Sequence, residues 1–301
     1  MQTPKQSPGV VDVLERWFSE AMRGKKPRTR AQQRCTLRLG GLQHLAGLRM
    51  DQVNGAVADA MLREVAHRGP AAHNYTRSQL KRIWRWAARA ELYVGPNPWD
   101  GSGKASVRNR RLPLIGDAAR RVDSACWDCL GGELETVSPV HAAFFLLLMR
   151  TAMRRSEGTH LRWDEVGETV ITIENHKTSR LTGEKAIPLI PQAASLLADV
   201  RARGWSDRFA FPSPRSARGH IEDPWRAWKR LRESVGCAGV RIHDIRHGFA
   251  VSMYEAGADL LTIRDMLGHA SIATTQRYIG RVSVDSVRTQ AARAAGAIGL
   301  R

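Results

Sequence analysis

At 301 residues the chain is long enough for two domains with their own cores, and an apolar share of 43% excludes both a disordered chain and a membrane protein. Its 47 Lys and Arg against 29 Asp and Glu leave a net charge of +18, which points to a polyanionic partner. The excess is denser at the front, where residues 1–105 hold 18 basic against 8 acidic side chains. The most apolar run, Phe144 to Met149, is too short to span a bilayer and reads as a buried helix. The first residues lack the basic start and apolar stretch of a secretory signal, so a cytoplasmic protein is expected. Cys126 and Cys129 have a metal-like or redox-like spacing, but no second pair completes a zinc site. They read as reduced thiols on a helix.

In chain order, Val10, Val13, Leu14, Trp17 and Phe18 have the spacing of an amphipathic helix over 9–22. The basic loop RGKKPRTR follows, then a second helix over about 29–46. A third is closed by Gly69-Pro70, and a fourth spans roughly 73–92 before the breaker VGPNPWDG. On the fourth, Arg77, Lys81, Arg85 and Arg89 recur every four residues as one basic row without balancing acids, opposite Leu80, Ile83, Trp84 and Ala87. Such a row suits a phosphate backbone, where each cation displaces condensed counterions. A solvated helix face is the plainer reading of the same pattern.

A basic connector with Arg108, Arg110 and Arg111 leads on; these residues would lie along DNA or keep a linker solvated. Helical patterns cover 116–130 and 139–162. Thr169–Ile173 and Lys185–Ile190 read as a strand pair around turn residues. Helices resume at 191–203, 223–235, 243–256 and 259–267, with Gly268 as a C-cap and Ser271 as the N-cap of a short helix bearing Tyr278. The fold class is therefore mainly α with a small β-sheet, and the domains are expected at 1–103 and 104–301.

One reaction would use what the second half offers. A tyrosine that attacks a phosphodiester keeps the bond energy in a phosphotyrosine ester, so the strand can be rejoined without ATP. The phosphate gains charge density during attack, and arginine forks fixed beside it lower the barrier. One proton must leave the tyrosine and another must reach the departing oxygen. TAMRRSE holds Arg154, NHKTS holds Lys177, HDIRH holds His243 and Arg246 one turn apart, LGHAS holds His269, and TTQRYIG holds Tyr278. Arg155 competes with Arg154, and Lys185 and Arg180 compete with Lys177. Taken alone, each residue has an ordinary structural explanation.

In that order and spacing the chain resembles the tyrosine recombinases, or phage integrases. HDIRHGFA…MLGHASIATTQRYI carries the strongest likeness, and residues 9–99, ending in NPW, resemble the family's helical SAM-like core-binding domain. The resemblance implies that Tyr278 is the nucleophile, that Arg154 and Arg246 clamp the scissile phosphate, and that Lys177 protonates the leaving 5′ oxygen. It implies that His243 assists proton movement, that His269 hydrogen-bonds the phosphate, and that Glu157 orients its neighbours. Ala152 and Gly158 depart from the family's glycine and aliphatic residue. No separate arm-site domain is expected, because the likeness begins at the core-binding domain.

The activity so implied is site-specific cutting and rejoining of double-stranded DNA by a nucleoid-associated homo-tetramer, with no metal, nucleotide or other cofactor. The tail, residues 281–301, would dock on a neighbouring protomer or in cis. The alternative is an architectural or regulatory DNA-binding protein that keeps the fold without strand exchange.

Overall fold

The computed structural model describes residues 7–39, 42–107, 112–174 and 183–279, without the side chains at 39, 277 and 278. The chain divides into two units between Asn109 and Arg110. Unit 1 contains α1 (Val10–Ser19), α2 (Pro27–Leu39), α3 (Gly55–Ala66) and α4 (Pro70–Arg89). The apolar positions of α1 foreseen from spacing are all buried, against Met61 and Leu62 of α3 and Leu80, Ile83 and Trp84 of α4. Gly69-Pro70 opens α4 rather than merely closing α3. Pro70 stands at the first helical position, where its missing N–H is one the helix leaves unpaired anyway. The second helix ends at Leu39, short of the expected 46, and Leu42–His44 form a separate 3-10 turn. The NPW segment closes the unit. The Asn97 amide donates to the Lys81 carbonyl (2.9 Å), and the buried Trp99 meets Trp84 edge-on at 5.6 Å.

Unit 2 contains α5 (Gly116–Gly131), α6 (Pro139–Thr151), α7 (Arg155–Thr159), β1 (Val170–Ile173), β2 (Lys185–Pro188), α8 (Pro191–Ala202), α9 (Trp225–Ser234), α10 (Ile242–Glu255), α11 (Leu260–Leu267) and α12 (Ile272–Ile279). Its axis is α6, where every residue from Ala142 to Leu148 is buried, with α5, α8 and α10 packed against it. A helix apolar on all sides belongs in such a centre. Phe144 meets Phe211 at 5.5 Å and Phe145 meets Trp228 at 5.1 Å. Each fully buried ring contributes roughly 1.5–3 kcal/mol. Cys126 and Cys129 face this core, and burial pushes the Cys126 thiol well above its usual range. They are packing residues.

The two strands pair antiparallel with Ile173 opposite Lys185 and Val170 opposite Pro188. A small separate cluster of Ala152, Ala250, Ile263 and Leu267 joins the end of α6 to α10 and α11. No helix among the described residues is long and apolar enough to cross a membrane.

Candidate active site

Periodicity suggests one helix over 139–162, but the structure breaks it. Ala152 adopts a left-handed conformation, φ 50°, which costs a residue with a Cβ roughly 1–2 kcal/mol. This is the position where the family pattern prefers glycine. The break ends α6 and starts α7 three residues later, leaving Arg154 at its N-cap. Glu157 then serves Arg154 twice: Oε2 accepts from its backbone N–H and Oε1 from Nη1, both at 2.7 Å. Gly158 follows from the same packing. A Cβ there would come within 2.9 Å of the Phe144 ring.

Helix α10 supplies His243 in its first turn and Arg246 one turn on. Arg246 is 3% exposed. Its Nη1 donates to the Ala152 carbonyl (2.7 Å) and its Nη2 to the Leu267 carbonyl. Arg154 Nη2 donates to the next carbonyl, Gly268 (3.0 Å). Two guanidinium groups from distant segments thus converge on the end of α11, whose terminal carbonyls carry partial negative charge. Gly268 caps that helix with φ 61°, as foreseen, and Asp259 caps its start through the N–H groups of Leu261 (2.7 Å) and Thr262 (3.0 Å).

Beneath Gly268 lies a residue that the sequence placed only as a competitor for the hairpin lysine. Lys185 and Ile187 share the inward face of β2. Lys185 Nζ donates to Glu157 Oε2 at 2.7 Å, with both side chains at most 5% exposed. Burial opposes charge on Glu157, but Lys185 and Arg154 outweigh it and hold the carboxyl down at about 2. Burial pushes Lys185 down to about 8, and Glu157 limits that fall. Both are therefore charged at neutral pH, and among the described residues Arg154, Arg246 and Lys185 gather around the Glu157 carboxylate.

The imidazoles respond to that excess. Burial, then Arg246, Arg154 and Lys185, hold His269 down at about 3, and its Nδ1 pairs with Thr275 Oγ1 of α12 (2.9 Å). Burial and then Arg246 lower His243 from its ordinary value. Both rings are neutral at physiological pH and able to exchange a proton or a hydrogen bond. A cavity of about 250 Å³ opens beside His243, lined also by Met153, Arg155, Trp225, Arg241 and Arg246.

The segment entering unit 2 crosses α10 close to these residues. Leu114 N–H donates to the Asp244 carbonyl (3.1 Å), and an added Cβ on Gly248 would stand 2.1 Å from the Leu114 oxygen.

Arg154, His243, Arg246 and His269 are thus brought together. Tyr278 belongs to α12, which packs on α10 and α11, but its side chain is outside the described residues, as is all of Lys177. Arg108, Arg110, Arg111 and the tail also lie outside them.

In unit 1, Lys81, Arg85 and Arg89 line a groove of about 800 Å³ with Arg77, Arg82 and Lys104. Two features of the row differ from the sequence reading. Arg77 is 8% exposed and its Nε donates to Ser102 O and Oγ, at 2.8 and 3.0 Å. The row also has a balancing acid: Asp100 lies 2.5 Å from Lys81 and 3.5 Å from Arg85. It comes from beyond the helix, where helical spacing gives no sign of it.

Residues 131–282, half of the chain, match the family described as the phage integrase family. The chain is 33% identical over 177 residues to the tyrosine recombinase XerC of Brucella suis biovar 1 (strain 1330), covering 56% of this chain and 54% of that protein. It is 27% identical over 295 residues to the XerC of Rhodospirillum centenum (strain ATCC 51521 / SW), covering 90% and 83%. It thus spans about half the length of the first of these relatives and most of the second.

Among solved structures, the Tn1549 transposon integrase in complex with transposon right end DNA matches with a TM-score of 0.77 at 17% identity, covering 96% of this chain and 100% of that one. A lambda integrase tetramer bound to a Holliday junction matches at 0.73 and 18%, covering 93% and 80%. These two likenesses concern the fold.

Proposed function

The chain belongs to the phage integrase family, and from that premise we propose that it is a site-specific recombinase that cuts and rejoins double-stranded DNA through a 3′-phosphotyrosine. The Tyr278 oxygen attacks the scissile phosphorus and the bond to the 5′ oxygen breaks. Neutral His243 assists removal of the tyrosine proton, and Lys177 delivers a proton to the departing oxygen. Arg154 and Arg246 hold the phosphate oxygens as their charge grows, and His269 adds a hydrogen bond. Reversal of the attack by a different 5′ hydroxyl rejoins the strand.

The observation that carries this reading is the convergence of Arg154 and Arg246 on consecutive carbonyls, Gly268 and Leu267. A guanidinium tied to backbone carbonyls is oriented before any phosphate arrives, which is the preorganisation such a transition state needs. The α4 groove would hold DNA through its phosphates. The working unit would be a homo-tetramer on two sites, on nucleoid DNA in the cytoplasm, with the tail exchanged between protomers.

The test is a core-site suicide substrate whose cut releases a short fragment that cannot return. The unaltered protein should accumulate a covalent adduct, and Tyr278→Phe should form none while binding the site normally. Adduct formation by the Phe variant would remove Tyr278 from the role. Binding without adduct by the unaltered protein would favour the architectural alternative.

A further inference from the structure

Lys185 has no part in the chemistry above, yet it occupies the middle of the arginine cluster. Its ammonium reaches Glu157 Oε2 at 2.7 Å while Glu157 Oε1 holds Arg154 at the same distance. Its stem fills the space below Gly268, so closely that a Cβ there would come within 2.4 Å of Cε. At 5% exposure it does not present its charge to solvent. A buried ammonium is costly to keep, and a strand position beside Ile187 would otherwise be filled by an apolar side chain. The charge therefore needs a reason.

We propose that Lys185 is a positioning residue for strand cleavage: its ammonium occupies one oxygen of Glu157 and its stem supports Gly268, so that Arg154 keeps one nitrogen on each. The inference rests on the recombinase reading. If Lys185 lost its charge, the buried Glu157 carboxylate would have Arg154 as its remaining cation in this set of contacts. A planar guanidinium answers such a carboxylate by closing a two-bond fork on it. That fork would draw Nη2 from the Gly268 carbonyl and turn the outer edge of Arg154 from the phosphate. The Gly268–His269 turn would lose its floor in the same step.

The geometry also separates this role from proton donation. Nζ donates to a carboxylate inside the protein, and at 5% exposure the side chain is shielded from a leaving 5′ oxygen.

Single-turnover cleavage of the suicide substrate should fall on the order of 10²-fold in Lys185→Met, the usual consequence of small misplacement at a reacting centre. Half-site binding should be unchanged, and Lys185→Arg should restore most of the rate. A second substrate carries sulfur in place of the bridging 5′ oxygen, a leaving group that departs without a proton. It should leave the Met variant as slow relative to the unaltered protein as before.

Full-rate cleavage by Lys185→Met would overturn the proposal, and so would rescue by sulfur, which would make Lys185 the proton donor. Should Lys185→Met fail to bind DNA, the Glu157→Gln, Lys185→Met pair decides, because it leaves no buried carboxylate without its lysine. That pair should bind and cleave slowly, and normal cleavage by it would also overturn the proposal. Adduct formation by the unaltered protein is scored in the same gels, so failure of the recombinase reading is seen separately.

Discussion

The two units hold their cations in opposite ways. On α4, Lys81 and Arg85 line an open groove, share one exposed carboxylate, Asp100, and remain in contact with water. In unit 2, Arg246 and Lys185 are nearly sealed off, and Arg154 is 22% exposed with its inner edge fixed to Glu157 and Gly268. Solvated cations give up little on meeting a phosphate and gain mainly by releasing counterions. Anchored cations have lost their freedom during folding, so they stabilise charge at one point at little further cost. On the proposed function cations would serve grip in one place and chemistry in the other, and what separates Lys81 and Arg85 from Arg154 and Arg246 is that backbone carbonyls hold the two arginines.

That contrast breaks most visibly at the arginines. Arg154→Ala and Arg246→Ala should each lower single-turnover cleavage on the order of 10²–10³-fold with little change in site binding. They should differ in stability. Arg246→Ala leaves the Ala152 and Leu267 carbonyls without this donor, at about 1–3 kcal/mol for each one left unsatisfied, whereas the more exposed Arg154 should cost less. Urea unfolding of the two variants measures this, and equal stabilities would undo the anchoring argument.

A smaller effect belongs to the groove. Replacing Lys81 and Arg85 together with Ala should weaken binding across DNA sequences and flatten its salt dependence, by roughly 1.8 in log–log slope for two phosphate contacts. Cleavage at saturating protein should stay near normal. An unchanged slope would make this row a solvated face, its charge already spent on Asp100.

The smallest effect concerns pH. His269 is held at about 3, below its ordinary 6.5. As pH falls through 6.5 the unfolded chain takes up this proton and the folded one does not. Stability from this group is therefore complete above about 6.5 and is lost as pH falls toward 3. His269→Gln should reduce the loss between pH 6.5 and 5.5 by at most about 1.4 kcal/mol, read from urea unfolding at the two pH values. An identical loss in both proteins would show that the imidazole is not sealed among the cations.

Much of this was legible before any coordinates. The inner faces of α1 and α4, the all-round apolar α6, the Gly268 cap and the pairing of His243 with Arg246 follow from periodicity and capping chemistry. The break at Ala152 was not, because nothing in FFLLLMRTAMRRSE departs from helical preference, and the tertiary contact of Arg246 with the Ala152 carbonyl rewards the turn. Nor could the roles of Lys185 and Asp100 be read directly. Their partners lie on other segments, and local spacing does not report a contact of that kind. An inward-facing lysine on a strand did carry a hint, since it requires a buried carboxylate somewhere.

The crossing of Leu114 over Gly248 has a consequence for sequence drift. Even an alanine would place its methyl group against backbone, which, unlike the end of a flexible side chain, cannot swing aside. The crossing segment would have to lift, and with it the hydrogen bond to Asp244, two residues before Arg246. Neutral substitution therefore has no route through position 248. A residue without a side chain, and without any chemistry of its own, is as tightly confined here as the arginine half a turn away.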